Sequence, residues 1–133
     1  MNRTLFVTAL LAALTAALHT FVGTAEIETP LMQSSLPREV ALLLYAGWHL
    51  VSVALTLSAV SFFAAARSKN ASLRSMVTMV SSMWLGFGAV FIVVDLAYAG
   101  PAMLLALPQW VLLLPVGVLG LWGNARAASA VAH

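Results

Sequence analysis

Two histidines and a few acids stand out because the sequence around them is almost entirely apolar. His19 precedes Glu26 by seven residues, and Glu39 lies ten residues before His49. Imidazole binds transition metals and haem iron, and it exchanges protons near neutral pH. We therefore regard His19, His49 and Glu26 as candidate metal ligands, with Glu26 acting either as a third ligand or as an acceptor behind a histidine.

The composition indicates which class of protein surrounds these residues. Hydrophobic residues make up 62% of the 133 residues and charged residues only 8%, whereas soluble domains carry about 25% charged residues. The outer surface must therefore face lipid. The net charge of +2 is not gathered into a basic stripe, which argues against nucleic-acid binding. The lack of cysteine excludes disulfides, thiolate metal sites, iron–sulfur clusters and covalently attached c-type haem.

Four apolar stretches are each long enough to cross a bilayer as a helix, which takes about 20 residues. They cover residues 5–25, 40–66, 76–99 and 102–122. Lipid cannot satisfy an open strand edge, so each stretch should be helical. The segments between them, 26–39, 67–75 and Gly100-Pro101, are short, and short links favour antiparallel neighbours. The sequence thus predicts one all-α domain over residues 1–133, an integral membrane four-helix bundle with antiparallel up-down-up-down topology.

The basic residues predict the orientation of these spans. Five of them fall on one side of the predicted membrane: Arg3, Arg67, Lys69, Arg74 and Arg126. Only Arg38 falls on the other side, so we expect a multi-pass protein of the cell inner (plasma) membrane with both termini in the cytoplasm. An alternative remains open: Arg3, the following apolar run and Gly23-Thr24-Ala25 are also typical of a cleaved signal peptide, which would leave three spans.

Polar residues within each span fall on one helical stripe. The first stripe holds Thr15, His19, Gly23 and Glu26; the second holds Tyr45, His49, Ser52 and Thr56; the third holds Ser81, Trp84, Gly88 and Asp95. At 1.5 Å per residue, His19 lies about 10 Å and His49 about 15 Å below the outer helix ends. We therefore predict an outer polar site. It comprises His19, Glu26, His49, Asp95 and Gln109, with Gly23, Tyr45, Trp48 and Trp84 in support.

Each of these residues also has a purely structural explanation. The histidines could simply form hydrogen bonds between helices, and Glu26 could sit at the water interface. Asp95 could cap its helix or pair with Arg38, and Trp48 and Trp84 could be packing residues. Pro108 and Pro115 are expected to kink the fourth helix.

One segment resembles a known group of proteins. The pattern His19-x-Phe21-x-Gly23-x-x-Glu26-Ile27-x-x-Pro30-Leu31, followed by Trp48-His49, is similar to that of small bacterial four-span inner-membrane proteins of unknown function. The resemblance covers roughly the first half of the chain. It implies a bacterial inner-membrane protein and singles out His19, Gly23, Glu26, Pro30, Trp48 and His49, but it implies no activity.

Four functions fit these features. The first is a site for a transition metal, haem or a small ligand. The second is a proton-coupled small transporter, for which we expect a homo-oligomer. The third is a non-catalytic subunit of a larger membrane complex that packs beside it or binds lipid or quinone. The fourth is a membrane enzyme using His and Glu as acid and base on a lipid substrate, although no motif requires enzymatic activity.

Overall fold

All the regular secondary structure in the computed structural model, which describes residues 1–68 and 70–129, is helical. The elements are α1 (Arg3–Ala17), a π-helical segment (Leu18–Gly23), α2 (Thr24–Met32), α3 (Arg38–Arg67), α4 (Ala71–Tyr98), α5 (Met103–Ala106) and α6 (Gln109–Ser129). The prediction of an all-α chain is confirmed. Lys69, one of the five basic residues used for orientation, lies outside the described residues.

The first three elements form one continuous helix, Arg3–Met32, which we call the first long helix. It begins at Asn2, whose side-chain oxygen accepts a hydrogen bond of 3.1 Å from the backbone N–H of Leu5, a standard N-cap. Our prediction of a loop over residues 26–39 is wrong in extent, because the helix continues to Met32. Helical hydrogen bonding does not require apolar side chains, and the helix ends two residues after Pro30.

The predicted fourth span is interrupted. α5 ends at Ala106 and α6 begins at Gln109, so Pro108 breaks the helix instead of kinking it. The cause is local: proline disfavours helical backbone in the preceding residue, and Leu107 has φ −119° and ψ 71°. Pro115 lies inside α6. Among the described residues, three helical segments are long and apolar enough to cross a membrane: Arg3–Met32, Arg38–Arg67 and Ser72–Tyr98. The predicted span 102–122 is not one of these three.

The helices pack through small side chains and a few large ones. α1 packs against α3 and α6, and α4 packs mainly against α6. The buried residues include Ala9, Ala12 and Ala16 from α1, Leu55 and Phe62 from α3, Trp84 from α4 and Val116 from α6. Alanines spaced at three and four residues let α1 approach its neighbours closely. This packing fixes the position of the π-helical segment against α3.

Candidate functional site

The candidate site centres on the π-helical segment, which carries His19 near the middle of the first long helix. A π-helix closes i→i+5 hydrogen bonds, so it is wider than an α-helix and is found mostly as short insertions, frequently at functional sites. The stripe predicted from 3.6 residues per turn is therefore out of register beyond His19. Gly23 faces α3, whereas Glu26 is exposed.

His19 is held by Trp48 of α3 in two ways. The imidazole lies against the indole with ring centroids 3.9 Å apart and 16° between the planes. Its Nε2 also lies 3.1 Å from the carbonyl oxygen of Trp48. A carbonyl oxygen can only accept, so Nε2 carries the proton and donates. In the neutral ring, Nδ1 then has the free lone pair, and within the described residues it has no hydrogen-bond partner.

Trp48 is in turn positioned by two residues that follow His19 on the first long helix. Its indole N–H donates a hydrogen bond of 2.9 Å to Oγ1 of Thr24. A Cβ atom on Gly23 would lie 2.7 Å from Cζ2 of Trp48, so only glycine leaves room for the ring here. We call His19, Gly23, Thr24 and Trp48 the His19–Trp48 cluster. Three of these four residues belong to the pattern that resembles the bacterial group; Thr24 does not.

A groove open to the outside lies beside this cluster. It has a volume of about 230 Å³ and is lined by Thr20, Ser52, Val53, Thr56 and Leu57. The hydroxyl of Ser52 donates to the carbonyl oxygen of Trp48 at 3.3 Å, which is the same oxygen that His19 contacts. The groove is shallow, and its lining combines hydroxyl groups with apolar side chains; His19 and Trp48 lie beside it and do not line it.

His49 lies outside the cluster, although it follows Trp48 directly. Consecutive residues on a helix point about 100° apart, and His49 makes an edge-to-face contact with Tyr45, with centroids 4.6 Å apart and 86° between the planes. Tyr45 interacts electrostatically with Glu28, an acid that the sequence analysis did not select.

The predicted metal ligands are not gathered into one centre. Across residues 1–68 and 70–129, no three His, Asp or Glu side chains are placed where they could hold a metal ion. His19, His49 and Glu26 therefore do not form a three-ligand site within the described part of this chain. Any metal bound at His19 would need further ligands from elsewhere.

Among the remaining candidates, from the second half of the chain, Asp95 and Trp84 are buried and Gln109 is half-buried. Asp95 is 2% exposed and Trp84 is fully buried. Oδ2 of Asp95, Nε1 of Trp84 and Oε1 of Gln109 are buried atoms with no hydrogen-bond partner among the described residues. At the end of α4, the backbone carbonyl oxygen of Asp95 accepts hydrogen bonds from the N–H groups of Ala99 and Gly100. The carboxyl group of Asp95 does not cap the helix. Neither Asp95 nor Gln109 lines the groove beside the His19–Trp48 cluster.

Sequence reasoning missed Thr24 and the π-helical segment. Gly23 and Trp48 were both named, but only as supporting residues. Their contact could not be derived from the pattern, because local periodicity does not encode which helices are neighbours.

The comparisons with known proteins leave this site without a precedent: the chain matches no protein-family model, and no curated protein or solved structure is significantly similar to it.

Proposed function

We propose that this protein is a multi-pass bacterial inner-membrane protein in which α1–α2, α3, α4 and α5–α6 form an antiparallel four-helix bundle with both termini in the cytoplasm. Three apolar helices support membrane insertion, and they are poorly covered: only 17% of the most apolar part of α3 is buried. Leu43 and Leu50 are each 72% exposed. Apolar faces of this extent need lipid or a partner to cover them.

Within this bundle, we propose that the His19–Trp48 cluster and the adjacent groove bind a small ligand from the membrane. The observation that carries the proposal is the bond from Nε2 of His19 to the carbonyl oxygen of Trp48, which orients the ring and leaves Nδ1 as a free acceptor. The ligand would donate a hydrogen bond to Nδ1, from a hydroxyl group for example. Its apolar body would lie against Val53 and Leu57 in the groove.

A second candidate is a metal ion or haem iron bound through the same Nδ1 atom. Histidines that bind metals almost always donate their other ring N–H to a carbonyl or carboxylate oxygen, which is the arrangement seen at His19. The remaining ligands would come from a second copy of the chain or from a bound small molecule. In that case Glu26 and His49 would act as ligands at an interface between two copies, and not within one chain.

The test is to purify the full chain from native membranes in mild detergent and to analyse both its metal content and its extractable small molecules by mass spectrometry. His19→Gln is compared with His49→Gln, which removes the neighbouring imidazole outside the cluster. A single small molecule retained by the parent and His49→Gln proteins, but lost from His19→Gln, is the expected result. A stoichiometric metal lost from His19→Gln would favour the second candidate, and its loss from His49→Gln as well would indicate that His49 is a further ligand.

Both candidates would be contradicted if no sample contained a metal or a small molecule. The His19–Trp48 contact would then be an interhelical hydrogen bond with a structural role.

A further inference from the structure

A second cavity, larger than the groove, lies at the opposite end of the helices from His49 and Asp95, at what we call the basic end. Its volume is about 480 Å³. Its lining comes from the start of α1, the end of α3, the start of α4 and the end of α6, and it includes Asn2, Arg67, Arg74, Asn124 and Arg126. Four helices therefore contribute to one pocket.

The charge of this pocket is of one sign. Arg67, Arg74 and Arg126 all line it, and none of the chain's four acids does. Throughout the described residues, none of these three guanidinium groups has a hydrogen-bond or ion-pair partner in the chain; the contacts that two of them make are with aromatic rings. A bound anion would supply these guanidinium groups with the charged acceptor that they lack.

Two of the three arginines are already oriented. The guanidinium carbon of Arg67 lies 4.0 Å from the centroid of the Phe63 ring, and that of Arg126 lies 4.6 Å from the centroid of the Trp122 ring. Cation–π contacts of this kind hold a guanidinium in place without using its N–H groups. The donors stay available for a planar, bidentate contact with phosphate oxygens.

Two asparagines make the pocket rigid. The backbone N–H of Asn2 donates to the carbonyl oxygen of Ala66 at 2.8 Å, and its side chain donates to that of Gly123 at 2.8 Å. Asn124 donates to the carbonyl oxygen of Arg74 at 2.9 Å. These bonds join the ends of α1, α3, α4 and α6, so little ordering is needed when a ligand binds.

We infer that this basic-end pocket is a binding site for a phosphate group. The phosphodiester of an anionic lipid and free inorganic phosphate share the chemistry that it would recognise. A lipid as the source of the phosphate group requires the proposed membrane insertion. The pocket would then lie at headgroup level, where basic pockets between helices bind anionic headgroups. The phosphate site itself is independent of the His19–Trp48 cluster and of its ligand.

Native mass spectrometry of the full chain in detergent tests this inference. Phosphatidylglycerol and phosphatidylcholine with identical acyl chains are added in equal amounts, and the ratio of the two bound lipids is measured. Arg67→Gln/Arg74→Gln should lower the preference for phosphatidylglycerol roughly tenfold, because two cations that attract its net negative charge are lost, whereas the ammonium group of phosphatidylcholine already balances its phosphate. The matched control, Arg3→Gln/Arg38→Gln, removes the same charge outside the pocket and should change the ratio less than about twofold.

Arg67→Lys/Arg74→Lys covers the possibility that the glutamine variant does not fold. It keeps the charge but removes the planar fork, and the preference should fall between those of the parent and the glutamine variant. A further sample contains millimolar inorganic phosphate. Displacement of phosphatidylglycerol by phosphate would uphold the phosphate site and identify a soluble source, whereas continued lipid binding would identify the headgroup.

The inference would be overturned if the parent protein showed no preference for phosphatidylglycerol and no phosphate binding. It would equally be overturned if the control variant lost as much preference as the pocket variant, since surface charge alone would then explain the result.

Discussion

His19 lies almost parallel to Trp48, with 16° between the ring planes, and its Nε2 is 3.1 Å from the backbone carbonyl oxygen of that same tryptophan. One residue of α3 thus provides both the stacking surface and the hydrogen-bond acceptor for the imidazole. The arrangement requires the indole to lie close to the first long helix, where Gly23 leaves space and Thr24 accepts its N–H.

Replacing Gly23 with alanine should displace Trp48. The new Cβ would lie 2.7 Å from Cζ2 and 3.1 Å from Cη2 of the indole, and this ring cannot yield without losing its bond to Thr24. We expect the free energy of unfolding to fall by about 1–3 kcal/mol, with a shift in tryptophan emission. Thermal unfolding in detergent, followed by fluorescence, measures both effects.

Gly47→Ala is the matched control for Gly23→Ala. Gly47 lies next to Trp48 within α3, and a Cβ there would meet nothing within 4 Å. Alanine should stabilise the helix at this position by about 0.5–1 kcal/mol. Equal destabilisation by both substitutions would show that helix propensity, and not contact with Trp48, determines the result.

Thr24→Val should leave the indole N–H of Trp48 without an acceptor while keeping the side-chain shape. The lost bond is 2.9 Å long, and we expect a decrease of about 1 kcal/mol in the free energy of unfolding. Thr20→Val is the comparison, because Thr20 lies four residues away and lines the groove without contacting the indole N–H. An unchanged stability in Thr24→Val would mean that the N–H finds another acceptor.

Apolar runs in the sequence predicted the positions of most helices, but they did not predict where the helices end. The predicted span 40–66 corresponds to α3, Arg38–Arg67, and 76–99 corresponds to α4, Ala71–Tyr98. The first long helix runs seven residues past the predicted end at residue 25, to Met32, because hydropathy detects apolar side chains and not backbone hydrogen bonds. At Pro108 the helix breaks and does not kink, because proline makes a helical backbone unfavourable for the preceding residue, Leu107.

The candidate site was only partly predictable, for a different reason. His19 and His49 were chosen for matched depth, but depth does not fix direction around the helix axis, and Trp48 instead of His49 faces His19. Glu26 was placed on the His19 stripe by a period of 3.6 residues, which the π-helical segment does not follow. No local pattern in the sequence predicts a π-helix.

Asp95→Asn should stabilise the protein if the carboxyl group has no ligand. Asp95 is 2% exposed and its Oδ2 atom has no hydrogen-bond partner among the described residues. Burying an unpaired polar or charged group is unfavourable, so a neutral amide of the same shape should raise the free energy of unfolding by about 1 kcal/mol. Glu26→Gln removes an exposed acid and should change it by less than about 0.5 kcal/mol. A loss of stability in Asp95→Asn would indicate a bound partner.

Gly120 of α6 lies where three helices meet, and its replacement tests how closely they pack. A Cβ at this position would collide with Oγ of Ser81 on α4 and would lie 2.9 Å from Cε1 of Phe62 on α3. Both of these side chains are fully buried or nearly so and have little freedom to move. Gly120→Ala should therefore lower the free energy of unfolding by about 1–3 kcal/mol.

The collision with Ser81 can be removed separately from that with Phe62. Oγ of Ser81 has no hydrogen-bond partner in the described part of the chain, so Ser81→Ala alone should cost little. The double variant Gly120→Ala/Ser81→Ala should recover part of the lost stability and give a coupling energy of about 0.5–3 kcal/mol. Gly86→Ala, where a Cβ meets nothing within 4 Å, controls for the change in helix propensity. A double variant as unstable as Gly120→Ala would assign the whole effect to Phe62, because the Ser81 contact would then contribute nothing.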